Sequence, residues 1–416
     1  MTPMSSSEED RHPAEHASPA CPQDASRISY LDNAATTRPR KEVVEVISNT
    51  LVQVYGNASS VHAPGKRAKQ VLEESRAIVA DALDVDPDEI IFTSGGTESN
   101  NLAITGACRA RGKDAGQIIV STLEHPSVTR TVRGLKREGW EVSYLEAEGG
   151  DLDLDSLRGH LETPTSIVTV MAVQNELGYR FPIGEVCHLR DQLEPEALVH
   201  SDIVQAFGKI PTPLREWGVD LASISSHKIG GPKGVGALYV KRGTKMFTTA
   251  FGGGQERGLR SGTEPVFLIA GFAEAVRCTF ADIESKERRV RKLWDKLASR
   301  LTQEVPDVII NSREDGSPYI FNFSIPGMRS REALEYLSER GVFVSHGSAC
   351  ENNENTVEPG TWRPKHPQAL QAAGISKKQA NWTIRVSFEY ESTEEDVDTF
   401  VDILEQYLQE SGAKGR

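Results

Sequence analysis

The chain has 416 residues, 38% hydrophobic and 26% charged, the composition of an ordinary globular protein long enough for one large domain and a smaller one. Its net charge of −13, with no block of Lys and Arg, excludes an electrostatic nucleic-acid binder. No apolar run approaches the roughly 20 residues that cross a bilayer, so no membrane association is expected.

Residues 1–27, rich in Ser, Pro, Glu and Asp and lacking an apolar signal core, read as a disordered tail without a secretion signal. From about residue 41 helical and extended patterns alternate. "KEVVEVISNTLVQV" and "GKRAKQVLEESRAIVADAL" carry apolar residues at helical spacing. Short β-rich runs follow at 89–94, 117–122, 166–173, 198–202, 221–225 and 236–240, most of them separated by helix-length segments. This is the rhythm of an α/β fold with a largely parallel sheet covered by helices. One long helix is expected over about 264–301. Beyond it, "VIINS", "YIFNFSI", "GVFVSH" and "WTIRVSFEY", mixed with helices near 330–340 and 393–410, predict a smaller α+β domain. Five scattered cysteines (Cys21, Cys108, Cys187, Cys278, Cys350) with no CxxC pair fit a reducing cytoplasm and offer no metal site by spacing.

In open α/β sheets ligands sit beyond the carboxyl ends of the strands. After "EIIFTS" comes "GGTESN", where Gly96 and Thr97 open a helix whose free amides suit a phosphate, or where Thr97 simply caps it. The next strand leads to His125, a structural imidazole or a flat ring able to stack on a cofactor. Later strands lead to Asn175, to Asp202 with Gln205, and to Ser225, Ser226, His227 and Lys228 in "SSHKIGGPKG". Each residue alone is weak. A phosphate cradle, a flat ring, a carboxylate and an amine on one sheet edge together match pyridoxal 5′-phosphate, with Lys228 as its Schiff-base lysine.

"YLDNAATT", "YGNASSVHAPG", "FTSGGTESNNLAI", "EHPSV", "QNELG", "SSHKIGGPKGVGALYV", "GGGQERGLRSGT" and "SHGSAC" form an ordered series that resembles the cysteine desulfurases of the NifS/IscS type, from about residue 28 to 408. The resemblance implies a class V, fold type I pyridoxal-phosphate enzyme with a mostly parallel seven-stranded sheet. It places the large domain at 44–284, the small one at 28–43 and 285–411, and a mobile loop at 346–366. It implies that His125 stacks on the cofactor ring, that Asp202 and Gln205 meet its pyridine edge, that Gly96, Thr97, Ser225 and His227 hold the phosphate, and that Ser226 and Asn175 also belong to the cofactor site. Thr263 is implied to reach the phosphate of a second subunit in a homodimer. Asn33, Asn175 and Arg385 are implied to bind the substrate L-cysteine, Arg385 pairing with its carboxylate.

Cys350 lies among small, polar and proline-rich residues, as an exposed reactive thiol does, whereas Cys108, Cys187 and Cys278 lie in apolar helical patterns. The resemblance makes Cys350 the acceptor of the substrate sulfur as a persulfide, with alanine as the other product. It makes His346 and His125 candidates for moving the thiol proton. Iron–sulfur cluster assembly, tRNA thiolation and cofactor synthesis all remain open as destinations of the sulfur, as does transient cluster ligation by Cys350. The alternatives are a selenocysteine lyase or another aminotransferase on the same scaffold, and an inert scaffold protein. This chain departs from the family's habit at His346 and at Glu351, Asn352 and Asn353, and in the 35 positions separating Cys350 from Arg385.

Overall fold

The computed structural model describes residues 28–346 and 369–411. The expected tail, Cys350 and all of its loop except His346 lie outside the described residues. In chain order the first part comprises β1 (Ser29–Tyr30), α1 (Lys41–Gln53), α2 (Ala63–Ala82), β2 (Ile90–Thr93), α3 (Gly96–Arg111), β3 (Gln117–Ser121), α4 (Pro126–Arg137) and β4 (Val142–Leu145). It continues with α5 (Leu154–Leu161), β5 (Thr165–Thr169), α6 (Ile183–Leu193), β6 (Leu198–Asp202), α7 (Leu214–Trp217), β7 (Leu221–Ser225) and β8 (Gly236–Val240).

Seven strands form one sheet in the order β2-β8-β7-β6-β5-β3-β4. Strands β4, β3, β5, β6 and β7 run parallel, and β8 runs antiparallel to both β7 and β2. Six carboxyl ends therefore share one edge. Strands β2, β3, β5, β7 and β8 are buried at every position, as strands covered on both faces must be. Their alternate side chains feed separate cores. Ile90, Phe92, Ile119, Val168 and Ile224 pack on one face, while Ile91, Ile118, Val120, Ile167 and Leu221 pack on the other beneath α3 and α4.

The remaining elements are α8 (Val266–Phe280), α9 (Ile283–Glu304), β9 (Ile309–Ile310), β10 (Ile320–Ser324), α10 (Ser330–Glu339), β11 (Val342–Phe343), α11 (Ala369–Ala372), α12 (Lys377–Ala380), β12 (Thr383–Ser387) and α13 (Glu394–Glu410). An antiparallel sheet β12-β10-β9 and a parallel pair β1-β11 surround a further core built from Leu31, Leu297, Phe321, Phe323, Val386 and Phe400 among others. The cores interleave: Ala34, Ile320, Leu370 and Ile375 belong to the larger one. Among the described residues no helix is long and apolar enough to cross a membrane.

Three local expectations change. The long helix over 264–301 is two, because Asp282 leaves the helical conformation and its carboxylate caps α9 by accepting from the Ser285 amide. The expected 166–173 strand is shorter, ending at Thr169. An edge strand, β4, was not legible because "VSYL" is only partly buried and mixes polar with apolar residues.

The stretch "GGGQERGLRSGT" is fastened to the sheet by a buried ion pair. Arg76 of α2 donates to both Glu256 oxygens (2.8 and 2.7 Å), and Glu256 also accepts from the Phe92 amide of β2 at 2.7 Å. Glu256 and Arg257 sit at positive φ (45° and 57°), strain that the pair holds in place. Replacing Glu256→Ala strands the buried Arg76 charge and is expected to cost about 3–5 kcal/mol in urea unfolding. Added Arg76→Met should recover part of that loss.

Candidate active site

The carboxyl edge of the large sheet, the N-terminal segment and β12 enclose a cavity of about 440 Å³. Each contributor arrives through a short local device. After β2, Gly95 adopts φ 148° and ψ −178°, and α3 begins at Gly96. Gly95 therefore caps the helix, and Thr97 lies inside the first turn rather than at the cap. A side chain at Gly96 would come within 2.8 Å of Val204, so glycine lets the first turn of α3 approach the β6 end. The first-turn amides, partnerless within the helix, open onto the cavity beside Ser225.

After β3, His125 caps α4. Its Nδ1 accepts from the Ser127 amide at 3.1 Å and lies 2.7 Å from the Ser127 hydroxyl, which leaves the ring proton on Nε2. Burial lowers its pKa, Asp202 opposes that, and the charges of Lys228 and Arg130 reinforce it. After β6, Asp202 accepts from the Val204 amide (3.0 Å) and from the Asn100 side chain (2.7 Å). Asn100 also donates to Ser127 (2.8 Å), so one amide ties the β6 carboxylate to the His125 cap.

After β7, a single turn, Ser226–Lys228, delivers the lysine. Lys228 Nζ donates to the backbone carbonyls of Ala34 (2.6 Å) and Ala35 (2.7 Å). His227 Nδ1 lies 3.1 Å from Thr36 Oγ1, and burial, with Lys228, Lys233 and Lys209 nearby, pushes its pKa down to about 3. Arg385 of β12 donates to the Asn175 carbonyl (2.9 Å) and to Asp32 (2.8 Å), while its buried Nε has no hydrogen-bond partner among the described residues.

The structure thus brings Gly96, Thr97, His125, Asn175, Asp202, Gln205, Ser225, His227, Lys228 and Arg385 to one cavity wall. Three expected residues stand apart from it. Asn33 is buried and donates to the Tyr30 and Ser387 carbonyls, tying the N-terminal segment to β12. Ser226 is fully buried behind the turn, where any side chain at Gly231 would collide with its hydroxyl. Thr263 is exposed. His346 is half-buried at the edge of the described residues. Cys108 and Cys187 are buried, and burial pushes both thiols up to about 12.

Sequence reasoning missed three wall or support residues. Asn100 sits one helical turn past Gly96, a spacing that could have placed it on the same face. Glu124, beside His125, is buried and accepts from the Met171 amide at 2.6 Å; burial and Asp202 push its carboxyl well above the usual range. Lys209 is buried beneath Gln205 and donates to it at 2.8 Å.

His200 of β6 lies under the site, between Thr169 Oγ1 (2.8 Å) and Ser223 Oγ (3.0 Å), and burial lowers its pKa to about 3. A native imidazole that refuses a proton contributes stability fully above the unfolded pKa of about 6.5 and loses it as pH falls toward the folded value. His200→Gln should therefore flatten the acid limb of stability by up to ~1.4 kcal/mol per pH unit below about pH 6. Urea titrations at stepped pH measure it.

Residues 29–400 match the aminotransferase class-V family. The chain is 37% identical to cysteine desulfurase IscS of Dictyoglomus turgidum over 92% of its own length and 95% of that protein's. A solved NifS-like protein superposes with a TM-score of 0.84 at 34% identity, covering 92% of this chain and all of the other. SspA, solved in complex with cysteine, matches at 0.74 and 31%, covering 88% of this chain and all of the other. The chain belongs to the class-V aminotransferases, in their cysteine desulfurase group.

Proposed function

We propose that this chain is a pyridoxal-phosphate-dependent cysteine desulfurase that converts L-cysteine to alanine and passes the sulfur on through Cys350. The observation that carries the reading is one cavity holding an amine, a carboxylate, open helix amides and a guanidinium, Lys228, Asp202, α3 and Arg385. The residues fit the cofactor: the turn at Gly95 and Gly96 leaves room for a phosphate against the amides of a 16-residue helix. Ser225, His227 and Thr97 would complete that phosphate site, with Asp202 and Gln205 at the ring edge and His125 over its face.

Bound there, pyridoxal phosphate supplies an aldehyde that captures amines and a ring that accepts the electron pair of a broken Cα–H bond. The chain supplies the rest. Arg385, fixed by Asp32 and Asn175, offers its guanidinium to the substrate carboxylate. Lys228 takes the Cα proton. The Cys350 thiolate attacks the substrate sulfur: an S–S bond forms, the carbon–sulfur bond breaks, and the carbon skeleton retains the electron pair, is protonated and leaves as alanine. The resulting persulfide serves an acceptor protein for iron–sulfur assembly or for tRNA or cofactor thiolation. The reading includes a cytoplasmic homodimer in which Thr263 of each subunit completes the other's phosphate site.

Cys350→Ala should keep bound cofactor and its spectral response to L-cysteine but form almost no alanine, whereas Lys228→Ala should lose the covalent link to the cofactor and the activity. Alanine formation at the wild-type rate by Cys350→Ala would overturn the persulfide route. If the sites are shared, light scattering should show a dimer, and Thr263→Ala should release cofactor faster without unfolding. A fully active monomer would contradict the shared site.

A further inference from the structure

Lys209 is a lysine the proposed reaction does not use, yet it is buried and only 5% exposed. Its Nζ donates to Gln205 Oε1 at 2.8 Å and faces the Tyr319 ring at 5.9 Å. The charged groups around it are Lys228 behind β7, and Glu389 and Arg385 on and after β12. Burial, Lys228 and Arg385 drive its proton off, against the pull of Glu389, and bring its pKa to about 7. A cation held in such a place is costly, so the hydrogen bond it makes deserves an account.

An ammonium has three donors and no acceptor. Facing Gln205, it admits only the carbonyl end of the amide for as long as it keeps its proton. The NH₂ end must then point the other way, where Gln205 Nε2 donates to the Ala34 carbonyl at 2.9 Å, the same carbonyl that holds Lys228. One N–H is used there, and the second remains for a ligand in the cavity that Gln205 lines. Without Lys209 that orientation rests on the Ala34 carbonyl alone, an acceptor that Lys228 already shares.

We infer that Lys209 is a positioning residue that locks the Gln205 amide with its NH₂ toward the cofactor site. This rests on the reading that the cavity holds pyridoxal phosphate with Gln205 near its ring oxygen. A donated N–H stabilises the deprotonated ring oxygen; a turned amide presents a carbonyl and destabilises it.

The test is the pH midpoint of the visible absorption band of the full-length protein loaded with pyridoxal phosphate. Lys209→Met should raise the midpoint by up to about one unit, the full worth of a hydrogen bond to a charged group being the limit because the Ala34 carbonyl still favours the NH₂ end. Lys209→Gln, whose amide accepts as well as donates, should do the same and carries the test if the methionine variant does not fold. Gln205→Met should raise it too, and adding Lys209→Met should change nothing further. An unchanged midpoint in both Lys209 variants overturns the lock. Additive shifts also overturn it, since Lys209 then acts as a charge through space. A wild-type protein that shows no visible band with added pyridoxal phosphate rejects the cofactor reading itself.

Discussion

Two backbone carbonyls, those of Ala34 and Ala35, hold the Lys228 amine, and they belong to a segment anchored in a different core. Leu31 packs with α9, β10 and β12, while Ala34, three residues on, packs in the large core. Between them Asn33 donates to Ser387, and Ser387 Oγ accepts from the Ala34 amide at 2.9 Å. The segment then returns to the β7 turn, where Thr37 bonds both His227 and Gly230. The position of the reactive amine therefore depends on where the smaller core sits, and so does that of Arg385, whose partners Asp32 and Asn175 lie on opposite sides of the same junction. One strap sets the distance between the amine that meets an amino acid and the guanidinium that orients it.

Most of the wall was legible because topology does the placing. Once the short apolar runs are read as parallel strands, whatever follows each one must lie on a common edge, and Asp202, His125, Asn175 and Lys228 follow four of them. That inference needs only element type and order, which hydrophobic periodicity reports well. What it reports poorly are positions decided by long-range geometry. Asn33 looks like a site residue by motif, yet its side chain is occupied by Ser387, a partner 354 positions away. Ser226 stands between two wall residues but turns behind them, because the single helical turn carrying Ser225 to Lys228 rotates alternate side chains away from the cavity. The break at Asp282 was hidden for a different reason: both flanking helices keep a helical apolar period, and a capping aspartate reads as an ordinary polar residue.

Supporting residues were the least visible, and their chemistry explains why. Asn100, Glu124 and Lys209 are polar residues in stretches where polar residues are usual, so composition marks none of them. Their weight comes from burial. Asn100 can bridge Asp202 and Ser127 only because α3, entering tightly at Gly95 and Gly96, is pressed against the β6 end. Glu124, pushed toward its neutral form beside Asp202, leaves the net negative charge on the carboxylate that faces the cavity.

The same division recurs around the whole site. Groups on the wall carry charge or open donors, and groups one layer behind are held neutral or forced into a single orientation. His200 behind the wall and His227 on it both sit far below the usual imidazole range, so neither adds a cation near Lys228 at neutral pH. Glu124 adds no second anion beside Asp202. In a low-dielectric pocket each stray charge would shift the groups that matter by whole pKa units. Keeping the second layer largely uncharged leaves the field that an amino acid meets to the charged groups of the wall, Asp202, Lys228 and Arg385 with Glu98 and Lys233. Lys209 is the exception in that layer, and it is the one whose hydrogen bond is informative only while its proton is present.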